Sequence, residues 1–307
     1  MDRGYPRRAV AVCLLPALLL VSSAGCTPGH LQGADLTDQA VLARYCWRQP
    51  AAHWPLPGAL EEISGLTHLG EDLLTHHDNG STLWTLAGSA DGPPIAALLP
   101  GQPVAPVDGD FEGVTILGDR VYLLGSQGTL QRARLDPRSG SLAGAFEAAD
   151  TGVEGRCNFE GIAAEPVSGF LYLACKYPRE PQVDTILLFR LAPGGGVPPQ
   201  ALVVDVAPVL ADTGLRRLRP SGLAWLPEAA RLLVLAGKER VILELNGDGG
   251  LLAWRRLPRR YHRQAEGLSV SPGGDVVIAD EADGRTATLS RYRSASAPAV
   301  QRCRERL

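Results

Sequence analysis

Short runs of alternating apolar and polar residues, separated by Gly, Pro and Asp turns, repeat along the chain from Glu62 to Glu281. Five segments open alike: EISGLTHLGEDLLTHHD (62–78), FEGVTILGDRVYLLGS (111–126), FEGIAAEPVSGFLYLACK (159–176), PSGLAWLPEAARLLVLAGK (220–238) and AEGLSVSPGGDVVIADE (265–281). Each joins a Glu-Gly or Ser-Gly pair to an apolar run, a turn, and a second apolar run. The shared glycines are Gly65, Gly113, Gly161, Gly222 and Gly267, spaced 48, 48, 61 and 45 residues apart. That period, with short strands and turn punctuation, predicts a β-propeller with one four-stranded blade per repeat. Segments such as TLWTLAGSADGPPIAALLP and VILELNGDGGLLAWRRL supply the outer strands of each unit. A helical period is not sustained over three turns anywhere, apart from a short helix expected near Asp35–Arg44. The chain therefore reads as all-β with five blades, or six if one is degenerate. The last unit shows only three strands. VLARYCWRQP, ahead of the first unit, has strand character but no hairpin partner, so an N-terminal strand is expected to complete the last blade.

The first residues are an export address. Arg3, Arg7 and Arg8 precede AVAVCLLPALLLV, an apolar stretch short for a bilayer span. It closes on Ser23-Ala24-Gly25-Cys26, which resembles the lipobox of bacterial lipoproteins, with Ser23 where Leu is usual. The resemblance implies cleavage before Cys26, a lipid on its sulfur, and membrane attachment without a spanning helix. Thr27 after the cysteine favours the outer over the inner membrane, with the domain facing the periplasm. An ordinary secretory signal cut nearby is the alternative. The expected organisation is a signal peptide over 1–25, a tether over 26–41 and one propeller over 42–307.

Removing Cys13 and Cys26 leaves Cys46, Cys157, Cys175 and Cys303, an even number in an oxidising compartment. Three pairings exist. Cys157 and Cys175 flank one hairpin, and blade closure would bring Cys46 to Cys303, so those two pairs are favoured. The net charge of −3 and the local placement of the basic residues give no sign of a nucleic-acid binder. Lysine occurs only at Lys176 and Lys238 among 30 basic residues, which makes both worth following. A monomer is expected.

Topology says where side chains should converge. The innermost strand of a blade and its antiparallel neighbour start and end at the same face, about 5 Å apart. Glu112, Glu160 and Glu266 open three inner strands, with Glu62, Ser64 and Ser221 in nearby places. The second strands bring Asp78, Ser126, Lys176, Lys238 and Glu281 to the same rim. The glycine allows close backbone approach or an unusual φ where inner strands crowd the axis. Glutamates around one axis repel unless a cation, a nearby Lys or Arg, or protonation neutralises them. A ring of hard oxygen donors, Glu112, Glu160 and Glu266 with Glu62, suits Ca²⁺. Alternatively, each glutamate accepts backbone N–H groups from its own turn. LRRLRP (215–220) and RRLPRRYHRQ (255–264) feed the same face. Arg219 and Arg263, with Lys176 and Lys238, would form a cationic collar for an anionic small molecule or envelope glycan. Otherwise these arginines pair with local acids.

The five quoted segments and the Gln264-Ala265-Glu266-Gly267 sequence resemble, in order and spacing over Arg44–Arg293, the SdiA-regulated domain family of YjiK-like bacterial proteins. The resemblance implies a five-bladed propeller distantly related to NHL-repeat proteins, a calcium site and no established catalysis. It points to Glu112, Glu160 and Glu266 for an axial ion. ACKYPRE in the third unit departs from the family in lacking an acidic residue after the lysine.

Motifs for a serine-hydrolase elbow, a zincin helix, a phosphate loop or an EF-hand are absent. His76-His77 reads as a rim-exposed pair whose rings point to opposite faces. The expected function is a membrane-anchored binding platform carrying Ca²⁺ on its carboxylate face. The alternative is a metal-dependent hydrolase, phytase-like or lactonase-like, with Glu281 or Asp78 as base.

Overall fold

The computed structural model describes residues 33–37, 40–78, 80–88, 92–102, 109–136 and 138–296, with Val300 and Cys303. The signal peptide and Cys26 lie outside them. Five antiparallel sheets follow one another along the chain as the blades of a propeller. Blade 1 runs from Ile63–Leu69 to Ile95–Leu98, blade 2 from Phe111–Leu117 to Leu142–Ala149, and blade 3 from Cys157–Glu165 to Gln200–Asp205. Blade 4 starts at Gly222–Leu226 and blade 5 at Ala265–Val270. Inner strands pack on one another in the order 1-2-3-4-5-1, which closes the ring.

Apolar packing lies between blades rather than within a single centre. Tyr172, Leu188, Leu232 and Val234 pack blade 3 on blade 4, and Phe159 and Leu171 pack with Leu124 of blade 2. Second strands such as Arg231–Ala236 are covered on both faces, so they read as continuous apolar runs. Outer strands such as Gln200–Asp205 alternate buried and exposed positions because one face meets water.

An N-terminal strand completes blade 5, but it lies just after VLARYCWRQP, the segment expected to supply it, of which Val41–Arg44 is a 3₁₀ turn. Ala52–Pro55 pairs antiparallel with Thr288–Tyr292. Tyr45 bridges to Ser294, and the Trp47 ring lies 4.9 Å from that of Tyr292. The backbone N–H of Leu42 donates to the fully buried Glu244 at 3.0 Å. Both favoured disulfides are formed, Cys46–Cys303 and Cys157–Cys175.

Two local expectations change. Part of the stretch read as a tether is docked, since Gly33–Asp35 adds a fifth strand beside Leu251–Arg256 of blade 4. The helix expected near Asp35–Arg44 is only a 3₁₀ turn over Val41–Arg44. A seven-residue α-helix instead spans Ala207–Thr213 between blades 3 and 4. Pro208 in its first turn and Gly214 in the left-handed region after it bound that helix.

The repeated glycines are explained by close approach. None of the five has a φ in the left-handed region. A Cβ on Gly222 would lie 2.6 Å from the Glu266 carbonyl oxygen, one on Gly65 2.5 Å from the Val114 nitrogen, and one on Gly161 3.0 Å from Gly222. Adjacent inner strands thus meet backbone to backbone where no side chain fits. Gly222→Ala is expected to lower the unfolding free energy by about 1–3 kcal/mol, the usual penalty of overpacking. Gly194→Ala, with open space around it, should leave the denaturant midpoint unchanged. Equal midpoints for the two variants would refute the close-packing account.

Candidate functional site

The carboxylates at the axis are bulge residues. In blade 2, Phe111 pairs with Gly125 and Gly113 with Leu124, so Glu112 is left over between them. Glu160 is left over in the same way between Phe159 and Gly161, and Glu266 between Ala265 and Gly267. An extra residue in one strand re-aims its side chain, and here three blades do this at equivalent points. Blade 1 has its irregularity between Ile63 and Leu66. There the Gly65 N–H donates to His76 Nε2 at 3.1 Å. In blade 4, Ser221 fills the place, donating through Oγ to the Ala265 carbonyl at 2.8 Å and stitching blade 4 to blade 5.

Lys176, at the end of the second strand of blade 3, enters the cluster. Its Nζ lies 2.9 Å from Glu160 Oε2, both side chains largely buried. Glu112 and Glu160 lie close enough to shift each other's pKa. Glu266 Oε2 is buried without a hydrogen-bond partner. Burial, then the charge of Glu160, pushes the Glu112 carboxyl up to about 9. Burial pushes Glu266 up to about 8 despite the opposing pull of Lys176. Burial works against the charge of Lys176, but Glu266, Glu160 and Glu112 outweigh it and lift its pKa. The cluster is therefore short of positive charge, and protons make up part of the deficit.

The remaining rim residues divide. Glu281 reaches Gln264, and burial with the charges of Glu62 and Asp78 raises it to about 7. Glu62 itself is exposed, and Asp78 holds the start of blade 2 through its carbonyl, which accepts the Phe111 N–H. Arg219 is neutralised rather than offered to a ligand: Nε and Nη2 donate to Glu239 Oε1 at 2.8 and 2.7 Å. Lys238 is exposed. Arg263 is also exposed, and its backbone N–H donates to Asp280 at 2.9 Å. Of the expected cationic collar, Lys176 alone reaches the carboxylates in a hydrogen-bonded ion pair among the described residues. His76 is no rim residue: it is fully buried, with Nδ1 2.6 Å from the His77 carbonyl oxygen. Adjacent strand residues point oppositely, and for His76 the inward direction is the blade interior.

The donor chemistry of this cluster would suit a hard cation such as Ca²⁺. The donors are carboxylate oxygens, one of them buried and unpartnered, and one lysine stands against three glutamates. Among the described residues, no group of three or more His, Cys, Asp or Glu side chains is already drawn together around a metal-holding point. The bulges went unread in the sequence because Glu-Gly looks the same in a regular strand. The order Glu-Gly opposite a lysine at the strand end was the available signal.

No protein-family model matches the chain, and no curated protein matches it. Among solved structures, it is similar to glutaminyl cyclase from Myxococcus xanthus, at 14% identity and TM-score 0.55, covering 80% of this chain and 95% of that one. It is also similar to a PQQ-bound aldose sugar dehydrogenase from Streptomyces coelicolor (14%, TM-score 0.47, 79% and 98% covered). A gluconolactonase from Xanthomonas campestris gives 13%, TM-score 0.46, with 84% and 94% covered. At these identities the likeness is one of fold.

A carboxyl raised in the folded state stabilises it fully below the unfolded pKa, and that stability is lost as pH rises through the folded pKa. For Glu112 the window runs from its ordinary 4.5 to about 9. In the presence of a chelator, the melting temperature should therefore fall between pH 5 and 9, and fall less steeply in Glu112→Gln. Parallel profiles for the two proteins would show that Glu112 is not held protonated.

Proposed function

We propose that the chain is an envelope-anchored binding platform whose axial carboxylate mouth takes up a Ca²⁺ ion. The observation that carries this reading is the partnerless, buried Glu266 Oε2 beside Glu112, Glu160 and a single lysine. Glu112, Glu160 and Glu266 would hold the ion, with Lys176 supplying the balance of charge. When bound, Ca²⁺ would offer a hard positive centre to an anionic small molecule or an acidic envelope glycan at the rim. Glu62 would stand outside that set, exposed at the mouth. Exposed Lys238 and Arg263 sit in the loops of the same face and would meet the ligand. Lipidation at Cys26, in residues outside the described ones, would hold the propeller at the membrane surface on its periplasmic side. Among the described residues, no helix is long and apolar enough to cross a membrane.

One observation favours a hydrolase as second reading. Glu281, raised to about 7, is poised to exchange a proton near neutral pH at the edge of the cluster. Such an enzyme would lose turnover of phosphomonoesters or lactones in Glu281→Gln while keeping the ion.

Calorimetric titration of Ca²⁺ into the domain beginning after Cys26 tests the main reading. Saturable binding is expected, with at least tenfold weaker affinity in Glu266→Gln and a higher melting temperature in Ca²⁺ for the parent only. Absence of binding, with identical melts in Ca²⁺ and chelator, would leave Lys176 as the resident cation and sink the proposal.

A further inference from the structure

The ring of glycines separates two different mouths. Glu112, Glu160, Ser221 and Glu266 precede it, and the residues that follow it line a cavity of about 290 Å³ at the opposite end. Leu66, Ile162, Leu223 and Leu268 come from four blades and Thr115 from the remaining one, with Trp225 alongside. No described lining residue carries a formal charge. Burial keeps the one titratable member, His68, neutral by lowering its pKa to about 4. A water-filled channel needs polar partners for its waters, and this wall is mainly aliphatic. The volume stands at the small end of ligand pockets, and an apolar wall with few polar groups is how such pockets are built.

His68 supplies the polar group. Its Nδ1 lies 2.6 Å from Ser269 Oγ across the seam between blades 1 and 5. Its Nε2 has no hydrogen-bond partner among the described residues. His68 also lines a neighbouring cavity of about 140 Å³. A serine hydroxyl can donate or accept. If Ser269 donates to Nδ1, then Nε2 carries the proton and donates onward; if Ser269 accepts, Nε2 is an acceptor. The pair therefore adapts to either sense of hydrogen bond. A ligand hydroxyl, itself donor and acceptor, suits it.

We propose that this cavity is a second binding site, for a small, uncharged, largely apolar molecule whose single hydroxyl pairs with His68. The site is independent of the carboxylate mouth: no residue is shared, and the glycine ring lies between them. It selects by chemistry opposite to that of the acidic cluster, because a charged ligand would enter a wall with no counter-charge and lose its hydration.

The probe is 1-octanol, titrated into the domain beginning after Cys26 by calorimetry and by tryptophan fluorescence, with octanoate as the charged counterpart. Saturable binding of 1-octanol is expected, with octanoate at least tenfold weaker. His68→Phe should weaken 1-octanol about tenfold, the worth of one hydrogen bond to a neutral partner. Ala164→Trp, which fills the cavity and leaves His68 in place, should abolish binding, and melts of both variants check that they fold. Glu266→Gln should bind 1-octanol like the parent, which separates this site from the cation site. Non-saturable binding, octanoate binding as tightly as 1-octanol, or a folded Ala164→Trp that binds normally would each overturn the proposal.

Discussion

Five inner strands must approach one axis closely enough to exclude side chains, and most features of this molecule follow from that. Gly65, Gly161 and Gly222 leave backbone close against backbone, with Gly222 facing the Glu266 carbonyl and Gly161 facing Gly222 itself, while Gly113 and Gly267 meet the Ile162 and Leu66 side chains of the next blade. Each glycine belongs to one blade but is required by the next. The contact is therefore cooperative around the ring, and a side chain at any one position would push two blades apart. In three blades the residue before the glycine is also out of register. A bulge there turns Glu112, Glu160 or Glu266 toward the axis.

Electrostatics then follows geometry. Carboxylates collected at one mouth and removed from water disfavour their own ionisation. Lys176 answers part of that charge through Glu160. It comes from the end of a second strand, which antiparallel pairing places at the same face as the start of the first. Arg219, a neighbour in sequence to the fourth repeat, is claimed instead by Glu239. The two ends of the channel consequently differ in kind, one acidic and short of positive charge, the other aliphatic with a neutral histidine.

Ring closure is secured away from the axis. Ala52–Pro55 supplies the missing strand of blade 5, and the disulfide from Cys46 to Cys303 fastens the two ends of the propeller over a separation of 257 residues. Behind that strand, His262 sits between Asp280 and the Tyr292 hydroxyl, at 2.8 and 2.6 Å, in a fully buried chain of hydrogen bonds. Removing water from such a chain strengthens each bond. The closing seam is thus held by a disulfide, a strand and a polar network.

Repeat period, turn residues and strand alternation pointed to five blades, an N-terminal completing strand and the two favoured disulfides, because these depend on spacing along the chain. In the structure the alternating strand Gln200–Asp205 has one face in water, and the continuously apolar Arg231–Ala236 lies between blades. Glu112, Glu160, Glu266 and Lys176 were legible as residues sharing one mouth, since antiparallel topology alone sets that. Only the tertiary structure decided that the glutamates are bulged and that Arg219 is paired. It also decided that His76 is buried and that His68 and Ser269 meet across blades 1 and 5. Those outcomes turn on ångström-scale register and on contacts between segments about 200 residues apart, and no local pattern encodes either one.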